Sequence, residues 1–409
     1  MKKILLFTCI AVIFHCRANA QQQIATGADR IDIWLPYLKG KAVAVFANQT
    51  SVIGKTHLVD SLIKRGVKIV KIFGPEHGFR GKADAGEHVQ DGIDTKTGLP
   101  VISLYGDHKK PTPSDLKDVD IVIFDIQDVG VRFYTFISSL EYVVEACIEN
   151  HKPLLILDRP NPNGFYVDGP VLKPAFKSFV GMQQVPIVYG MTIGEYALML
   201  TGEKWLSAKA NEINSYNIKT RPTNDTPFHM QVIKCVNYTH KTLYTLPINP
   251  SPNLKEMQAI YWYPSTCFFE GTVLSEGRGT DHPFQYIGHP SLPKNLFAFT
   301  PMPNEGAKNS KCFNQVCYGV NITGTTNEVL QQVNHQIQLK YLISLYKQFP
   351  AKDSFFLPNN FFNKLAGNDV LMQQIKKGMP EAAIRKTWQK DLAKFKAIRK
   401  KYLLYQDFE

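Results

Sequence analysis

The segment Gly74–Gly81, with the sequence GPEHGFRG, carries a glutamate and a histidine side by side, a pair that can do acid–base chemistry. Pro75 and the glycines at 74 and 78 impose an unusual backbone course, which can hold a side chain at the floor of a cleft. We interpret Glu76 as the best candidate for proton transfer, with His77 as its hydrogen-bonding partner or as the acid–base group itself. The alternative is that Glu76 is a structural carboxylate that pairs with Arg80.

The elements that must position this segment alternate between strands and helices. Short apolar runs predict buried strands at 42–47, 67–73, 101–105, 120–124 and 154–157. Strands that alternate with helices pair in parallel through right-handed crossovers. The sequence therefore predicts an α/β protein whose first domain, 24–185, is a Rossmann-like, doubly wound and mostly parallel sheet.

The second half of the chain is less regular. Helical periodicity predicts long helices over 327–348 and 380–405. We expect residues 186–409 to form a smaller C-terminal α/β domain that completes a cleft with the first.

Polar side chains follow four of the predicted strands. Ligands of an open parallel sheet bind beyond the carboxyl ends of its strands. A single aspartate at such an end is usually a turn former, but four clusters on one edge favour a binding site. These residues are Asn48, Glu76, His77, Asp125, Gln127, Asp128, Asp158, Arg159 and Asn161.

Several chemistries lack their motifs. The first strand–helix turn has no GxGxxG, residues 76–83 do not complete a P-loop, and no GxSxG elbow occurs. No CxxC or HExxH occurs either, so we predict no metal and no cofactor. Carboxylates, amides, guanidinium groups and aromatic rings remain, which is the equipment of a sugar site.

The N-terminus reads as a secretory signal over 1–20. Lys2 and Lys3 precede a short apolar run, and Ala18-Asn19-Ala20 is a typical cleavage site. Lipid anchoring at Cys16 is the less favoured alternative, because the residues before it are bulky. No later stretch has the length of a membrane span. The mature chain is therefore expected to be exported, periplasmic or secreted.

Charge and cysteine content narrow the partners. A basic exported protein attracts anionic polymers such as cell-wall glycans or nucleic acid. The net charge of +12 is spread along the chain rather than blocked, so it does not indicate a nucleic-acid groove. Five cysteines follow the signal, an odd number at wide spacings and so no disulfide framework. Cys312 and Cys317 are close enough in sequence for a local bridge.

Six ordered motifs give the chain a family resemblance. It is identified as a member of the DUF1343 or NamZ-type exo-β-N-acetylmuramidase family of glycoside hydrolases. The motifs are GPEHGFRG at 74–81, FDIQDVGVRFYT at 124–135, LDRPNPNG at 157–164, YGMTIGE at 189–195, PSPN at 250–253 and EGTVLSEGRGTDHPF at 270–284. The resemblance implies release of N-acetylmuramic acid (MurNAc) from the non-reducing end of peptidoglycan fragments such as MurNAc-GlcNAc, by carboxylate acid–base catalysis.

The resemblance also implies residue roles. Glu76 matches the family's proposed catalytic glutamate, flanked by His77 and Arg80. The second motif is expected to line the same pocket through Asp125, Gln127, Asp128, Arg132 and Tyr134, and the last motif to contribute Glu276 and Arg278. An arginine at 132, 159 or 278 suits the lactyl carboxylate of MurNAc, because guanidinium binds carboxylate with two prongs.

The second catalytic group stays open at this point. Asp128, Asp125 or Glu276 would activate water or act as nucleophile, or the acetamido group of the substrate would participate instead. The main rival from another class is a protein that binds muropeptides without cleaving them. A hydrolase of another cell-wall bond is less favoured, because a serine elbow and zinc ligands are missing.

Overall fold

The computed structural model describes residues 23–81, 87, 90–220 and 230–409. Its centre is a seven-stranded sheet in which all neighbours are parallel except the first two in space. In spatial order the strands are Gly92–Ile93, Pro100–Ser103, Ile69–Gly74, Val43–Ala47, Ile121–Asp125, Leu154–Leu157 and Met230–Ile233. The chain fills one side of strand Val43–Ala47 first and then the other, which is the doubly wound arrangement.

The apolar runs form strands because both faces of the sheet are covered. Ala44 and Phe46 belong to one hydrophobic core, whereas Val43, Val45 and Ala47 belong to a second. Successive side chains of a strand point to opposite faces. A strand buried on both sides must therefore be apolar at every position, as this one is.

The five predicted strands are confirmed, each to within two residues. The sheet also contains two strands that the sequence did not predict, Gly92–Ile93 and Met230–Ile233. The second of these lies after the predicted domain boundary at residue 185. We call residues 23–256, which carry this sheet, the sheet domain, and residues 257–409 the C-terminal domain.

Helices cover both faces of the large sheet, and a three-stranded antiparallel sheet belongs to the C-terminal domain. That small sheet has the spatial order Tyr286–His289, Cys317–Asn321, Phe297–Phe299; a two-stranded hairpin pairs Val52–Ile53 with Thr56–His57. The α-helices of the described residues are Ile31–Trp34, Leu58–Lys64, Phe136–Glu149, Ile193–Gly202, Ala208–Thr220, Met257–Thr266, Thr326–Val333, Lys340–Gln348, Phe361–Ala366, Val370–Lys376, Glu381–Lys386 and Gln389–Arg399. The 3-10 helices are Leu35–Leu38, Pro174–Phe176, Cys267–Gly271, Lys352–Ser354 and Lys400–Tyr402.

The prediction of two long C-terminal helices was wrong. Residues 327–348 form two helices because Asn334 and His335 adopt positive φ angles of 45° and 55°, which end the first helix. Residues 380–405 divide at Thr387 and Trp388, where the Thr387 hydroxyl donates to the carbonyl of Ile384 at 2.6 Å. The apolar periodicity continues across both breaks, so it did not reveal them.

A buried arginine joins the two domains. The Arg132 guanidinium donates to the carbonyl oxygens of Pro170, Val185 and Leu365, each at 2.8 Å. Leu365 belongs to the C-terminal domain and the other two to the sheet domain. The carboxyl edge of the sheet is thereby tied to the domain that faces it.

Two further points concern export and redox state. Among the described residues no helix combines the length and apolarity needed to cross a membrane. The cysteines after the predicted signal are free thiols in the structure, including Cys312 and Cys317.

Candidate active site

A cavity of about 910 Å³ lies between the carboxyl edge of the large sheet and the C-terminal domain. Its wall on the sheet side includes Glu76, His77, Tyr105, Tyr134 and Thr135. The opposite wall includes Tyr263, Glu270, Glu276, Arg278 and Lys311. A concave site at a domain boundary, lined by aromatic rings and a few polar groups, is the usual form of a small-molecule site.

Glu76 occupies the position that the sequence predicted, at the end of strand Ile69–Gly74. The chain turns there because His77 and Gly78 have φ angles of 68° and 76°, and the amide of Gly78 donates to the carbonyl of Pro75 at 2.9 Å. A positive φ at a histidine is uncommon, and such backbone conformations cluster at functional sites. The turn places Glu76 and His77 together on the cavity wall.

Two hydroxyl groups hold the Glu76 carboxylate in place. The Tyr105 hydroxyl donates to Oε1 at 3.0 Å, and the Thr135 hydroxyl donates to Oε2 at 2.7 Å. Tyr105 follows strand Pro100–Ser103, and Thr135 precedes helix Phe136–Glu149. Three separate elements of the sheet domain therefore fix one carboxylate.

Tyr105 acts as a hydrogen-bond donor in this arrangement. Burial raises the pKa of its phenol well above the ordinary value, and the neighbouring charge of Glu76 raises it further. The phenol consequently keeps its proton at neutral pH.

The structural alternative named Arg80 as the partner of Glu76, and the structure corrects that pairing. The Arg80 guanidinium instead binds both oxygens of Asp94, at 2.9 and 2.7 Å, and lies 4.4 Å from the ring centroid of Phe79. Arg80 fixes the loop behind Glu76 and is not among the residues that line the cavity.

A charged network forms the opposite wall. Arg278 contacts Glu270 through Nη2 and Glu276 through Nε, the latter at 3.1 Å. Lys311 pairs with Glu276 at 2.7 Å and donates to the carbonyls of Phe269 and Thr272. Burial opposes ionisation of Glu276, but Lys311 and Arg278 outweigh it and hold its pKa below the ordinary value.

Aromatic rings complete the lining. The Tyr134 hydroxyl donates to the carbonyl of Pro250 at 2.9 Å, and its ring packs edge-on against Tyr263. Tyr263 in turn packs edge-on against Phe284, with 4.8 Å between centroids. Phe133, Phe179 and Phe361 also reach the cavity. Such faces suit the apolar side of a sugar ring.

Most of the other predicted binding residues do not line the cavity, and the structure corrects that expectation. Asp125 forms a fully buried pair with Arg159, whose Nε and Nη2 lie 2.6 and 2.8 Å from its oxygens. The Arg132 guanidinium donates its hydrogen bonds to the three carbonyl oxygens described above. Neither Arg159 nor Arg132 is therefore a partner for the lactyl carboxylate, and Arg278 is the arginine that reaches the cavity.

The remaining strand-end groups satisfy the backbone around them. Asn48 Oδ1 accepts from the amide and the hydroxyl of Thr50. The Gln127 amide donates to the carbonyls of Asp128 and Pro160, and the Asn161 amide to that of Met191. The Asp158 carboxylate accepts from the hydroxyls of Thr192 and Tyr405. Buried loops need such partners because their backbone groups have no water.

Asp128 lies behind the cavity rather than on its wall. Its Oδ2 accepts from the amide of Gly130 at 2.6 Å and from the Tyr189 hydroxyl. Burial raises the pKa of Asp128 to about 6. It is enclosed by the sheet domain and is not placed to meet a ligand in the cavity.

Many residues of the cavity were not predicted from the sequence. Among them are the polar residues Tyr105, Lys109, Thr135, Glu270 and Lys311. Thr135 and Glu270 are the last and first residues of two recognised motifs, and Tyr105 ends a predicted strand, so their positions carried a signal. Nothing in the sequence distinguished Lys109 and Lys311 from other lysines.

The described residues contain no group of three or more His, Cys, Asp and Glu side chains arranged for a metal ion. The cavity instead offers carboxylates from two domains, a histidine, hydroxyl donors and aromatic faces. A doubly wound α/β fold with this site defines a glycosidase-type enzyme.

Comparison with known proteins makes this specific. Models for the N-terminal and C-terminal parts of the exo-β-N-acetylmuramidase NamZ match residues 43–258 and 261–405. The peptidoglycan β-N-acetylmuramidase NamZ of Bacillus subtilis strain 168 is 38% identical over 404 residues, which cover 92% of this chain and 90% of that protein. The chain belongs to the NamZ family of exo-β-N-acetylmuramidases and is a glycosidase.

Two crystal structures of DUF1343 family proteins from Bacteroides fragilis NCTC 9343 share the fold. One is 44% identical with a TM-score of 0.82, and the other is 28% identical with a TM-score of 0.76. Each alignment covers 94% of this chain and 99% of the other. The two-domain α/β architecture is thus common to the three proteins.

Replacement of Asp128 by Asn tests the buried carboxyl. Because its pKa is raised in the folded state to about 6, the folded protein binds more protons than the unfolded chain between pH 4 and 6, and stability falls as the pH rises. We expect wild type to lose about 2 kcal/mol more unfolding free energy than Asp128→Asn between pH 4 and pH 8. Urea unfolding at both pH values measures this difference.

The control for Asp128→Asn is Asp32→Asn, which removes an exposed carboxylate from the first helix. If wild type and Asp128→Asn show parallel stability curves, the carboxyl is ionised in the folded protein and the assignment is wrong.

Proposed function

We propose that the protein is an exo-acting glycoside hydrolase that releases MurNAc from the non-reducing end of peptidoglycan fragments such as MurNAc-GlcNAc. The observation that carries the proposal is Glu76, held on the wall of an interdomain cavity by Tyr105 and Thr135. The description of the matching family supports the exo mode and the muramyl bond. The aromatic lining suits a pyranose.

In this proposal Glu76 protonates the glycosidic oxygen, with His77 beside it. Hydroxyl donors on both of its oxygens fix the rotamer, and a fixed acid loses little entropy when the substrate arrives. Glu76, Tyr105 and Thr135 all belong to the sheet domain, so this half of the machinery is rigid before the ligand binds.

The geometry favours Glu270 as the second carboxylate. Asp125 and Asp128 do not reach the cavity, and both oxygens of Glu276 face cations. Glu270 lines the cavity with an 18% exposed side chain, and Arg278 binds one of its oxygens. Glu76 and Glu270 line the same cavity, from the sheet side and from the opposite wall.

Glycosidases need such a pair of carboxylates on the two sides of the scissile bond. Glu76 supplies the proton from the sheet domain. Glu270 attacks the anomeric carbon or removes a proton from the attacking water, from the C-terminal domain. Arg278 is then a positioning residue, which orients Glu270.

We further propose that the chain is exported and that its leader is removed after Ala20. Residues 1–22 lie outside the described structure, and the proposal rests on the sequence pattern. Intact mass of the protein recovered from an exporting host is expected to match a chain that begins at Gln21. A lipid-modified mass starting at Cys16 would contradict this.

The first functional test is Glu76→Gln. Loss of a general acid is expected to lower kcat/KM on MurNAc-GlcNAc by about 100- to 10,000-fold, because Gln preserves the shape but cannot protonate the leaving sugar oxygen. The matched control is Glu212→Gln, on an exposed helix position. Circular dichroism establishes that both variants fold. A folded Glu76→Gln enzyme with full activity would overturn the assignment.

The second functional test compares Glu270→Gln with Asp128→Asn. We expect the first to lose about 100-fold or more in kcat/KM and the second to keep its activity, because only Glu270 reaches the cavity. Proton NMR of the first sugar anomer released by wild type then shows how Glu270 acts. The β anomer indicates two successive displacements, the first by Glu270 or by the acetamido group of the substrate, and the α anomer indicates that Glu270 acts as a base. Near wild-type turnover by Glu270→Gln would point instead to the acetamido group of the substrate.

A further inference from the structure

Four cationic side chains line the cavity, and three of them already face carboxylates. Arg278 lies between Glu270 and Glu276. Lys311 pairs with Glu276 at 2.7 Å, and Lys308 pairs with Glu87 at 3.2 Å. Their charges are compensated within the protein. Each would have to exchange a carboxylate that it holds for one on a ligand.

Lys109 is different. Its ammonium group donates to the carbonyl of Gly106 and lies 5.5 Å from the ring centroid of Phe179. Within the described part of the chain it contacts no carboxylate. It is half-buried in the cavity wall, where low dielectric makes an uncompensated charge a strong attractor for an anion.

The loop that carries Lys109 is fixed on both sides. The next residue, Lys110, pairs with Glu145 and Glu149 of helix Phe136–Glu149 at 3.0 and 2.8 Å. Tyr105, four residues before Lys109, donates to Glu76 at 3.0 Å. One short loop therefore positions both the Tyr105 phenol, which contacts Glu76, and the ammonium group of Lys109.

Phe179 provides a surface beside this charge. Its ring centroid lies 6.0 Å from that of Tyr105 and 6.2 Å from that of Tyr142. An apolar face next to a cation fits a group that carries both a methyl and a carboxylate. The lactyl ether of MurNAc is such a group.

We propose that Lys109 binds the lactyl carboxylate of the substrate and that Phe179 packs against the lactyl methyl group. The inference rests on the proposed function and deepens it by naming the specificity determinant. It replaces the expectation that an arginine does this. Arg132 and Arg159 are buried away from the cavity, and the charge of Arg278 is balanced by two glutamates.

The test compares two chromogenic β-muramides, one with the free lactyl carboxylate and one with its methyl ester, which has nearly the same shape but no charge. Wild type is expected to prefer the acid by about 10- to 100-fold in kcat/KM, the range of a charge-assisted hydrogen bond. Lys109→Met should abolish that preference while the ester is cleaved as by wild type, and Lys109→Arg should largely keep it. Lys347→Met, at an exposed helix position, controls for the loss of one positive charge.

Three outcomes would overturn the proposal. In the first, Lys109→Met keeps the preference for the acid. In the second, it loses activity equally on both substrates, which would mean a purely structural role. In the third, Arg278→Met rather than Lys109→Met removes the preference.

Failure of the proposed function would look different, because wild type would cleave neither muramide. The same acid-to-ester ratio is then measured as a ratio of dissociation constants for free MurNAc and its methyl ester, by calorimetry on wild type and Lys109→Met. Equal ratios for the two proteins would overturn the role of Lys109 in that case too.

Discussion

The buried guanidinium of Arg132 links the sheet domain to the C-terminal domain at the carboxyl edge of the sheet, together with the ion pair of Arg385 and Asp168. It has no carboxylate partner among the described residues and donates to three backbone carbonyls instead. Burial lowers its pKa to about 9, because desolvation disfavours the charged form. Removal of any of the three carbonyls would leave a desolvated cation short of acceptors. The hydrogen bond from Arg132 to the carbonyl of Leu365 thereby holds the C-terminal domain against the sheet domain.

The polar residues at the sheet edge fall into two groups, those that are buried and hold the structure together and those that line the cavity. Arg132, Asp125 and Arg159 are buried away from the cavity, where their hydrogen bonds hold loops together. Glu76 and His77 lie on the loop that the Arg80–Asp94 pair holds, and they line the cavity. Arg132, Asp125 and Arg159 therefore affect catalysis only through the positions that they impose on other residues.

The sheet was predictable because a strand buried on both faces must be apolar throughout, and this signal is local. The candidate site was predictable only in part. Glu76, His77, Tyr134, Glu276 and Arg278 do line the cavity, but Asn48, Asp158 and Asn161 bond to buried backbone and hydroxyl groups instead. Sequence shows which residues end a strand, but not which carbonyls and amides they must satisfy. The helix breaks at Asn334 and Trp388 were hidden for a related reason, since the apolar face continues across them.

The two walls of the cavity come from different domains, and this has a thermodynamic consequence. Any molecule that fills the cavity touches both walls at once and becomes a third component of the domain interface. Its binding energy then adds to that of the docked state, so a molecule in the cavity stabilises the domain interface. Bound substrate therefore also stabilises the docked arrangement of the two domains. This stabilisation is lost when the products leave.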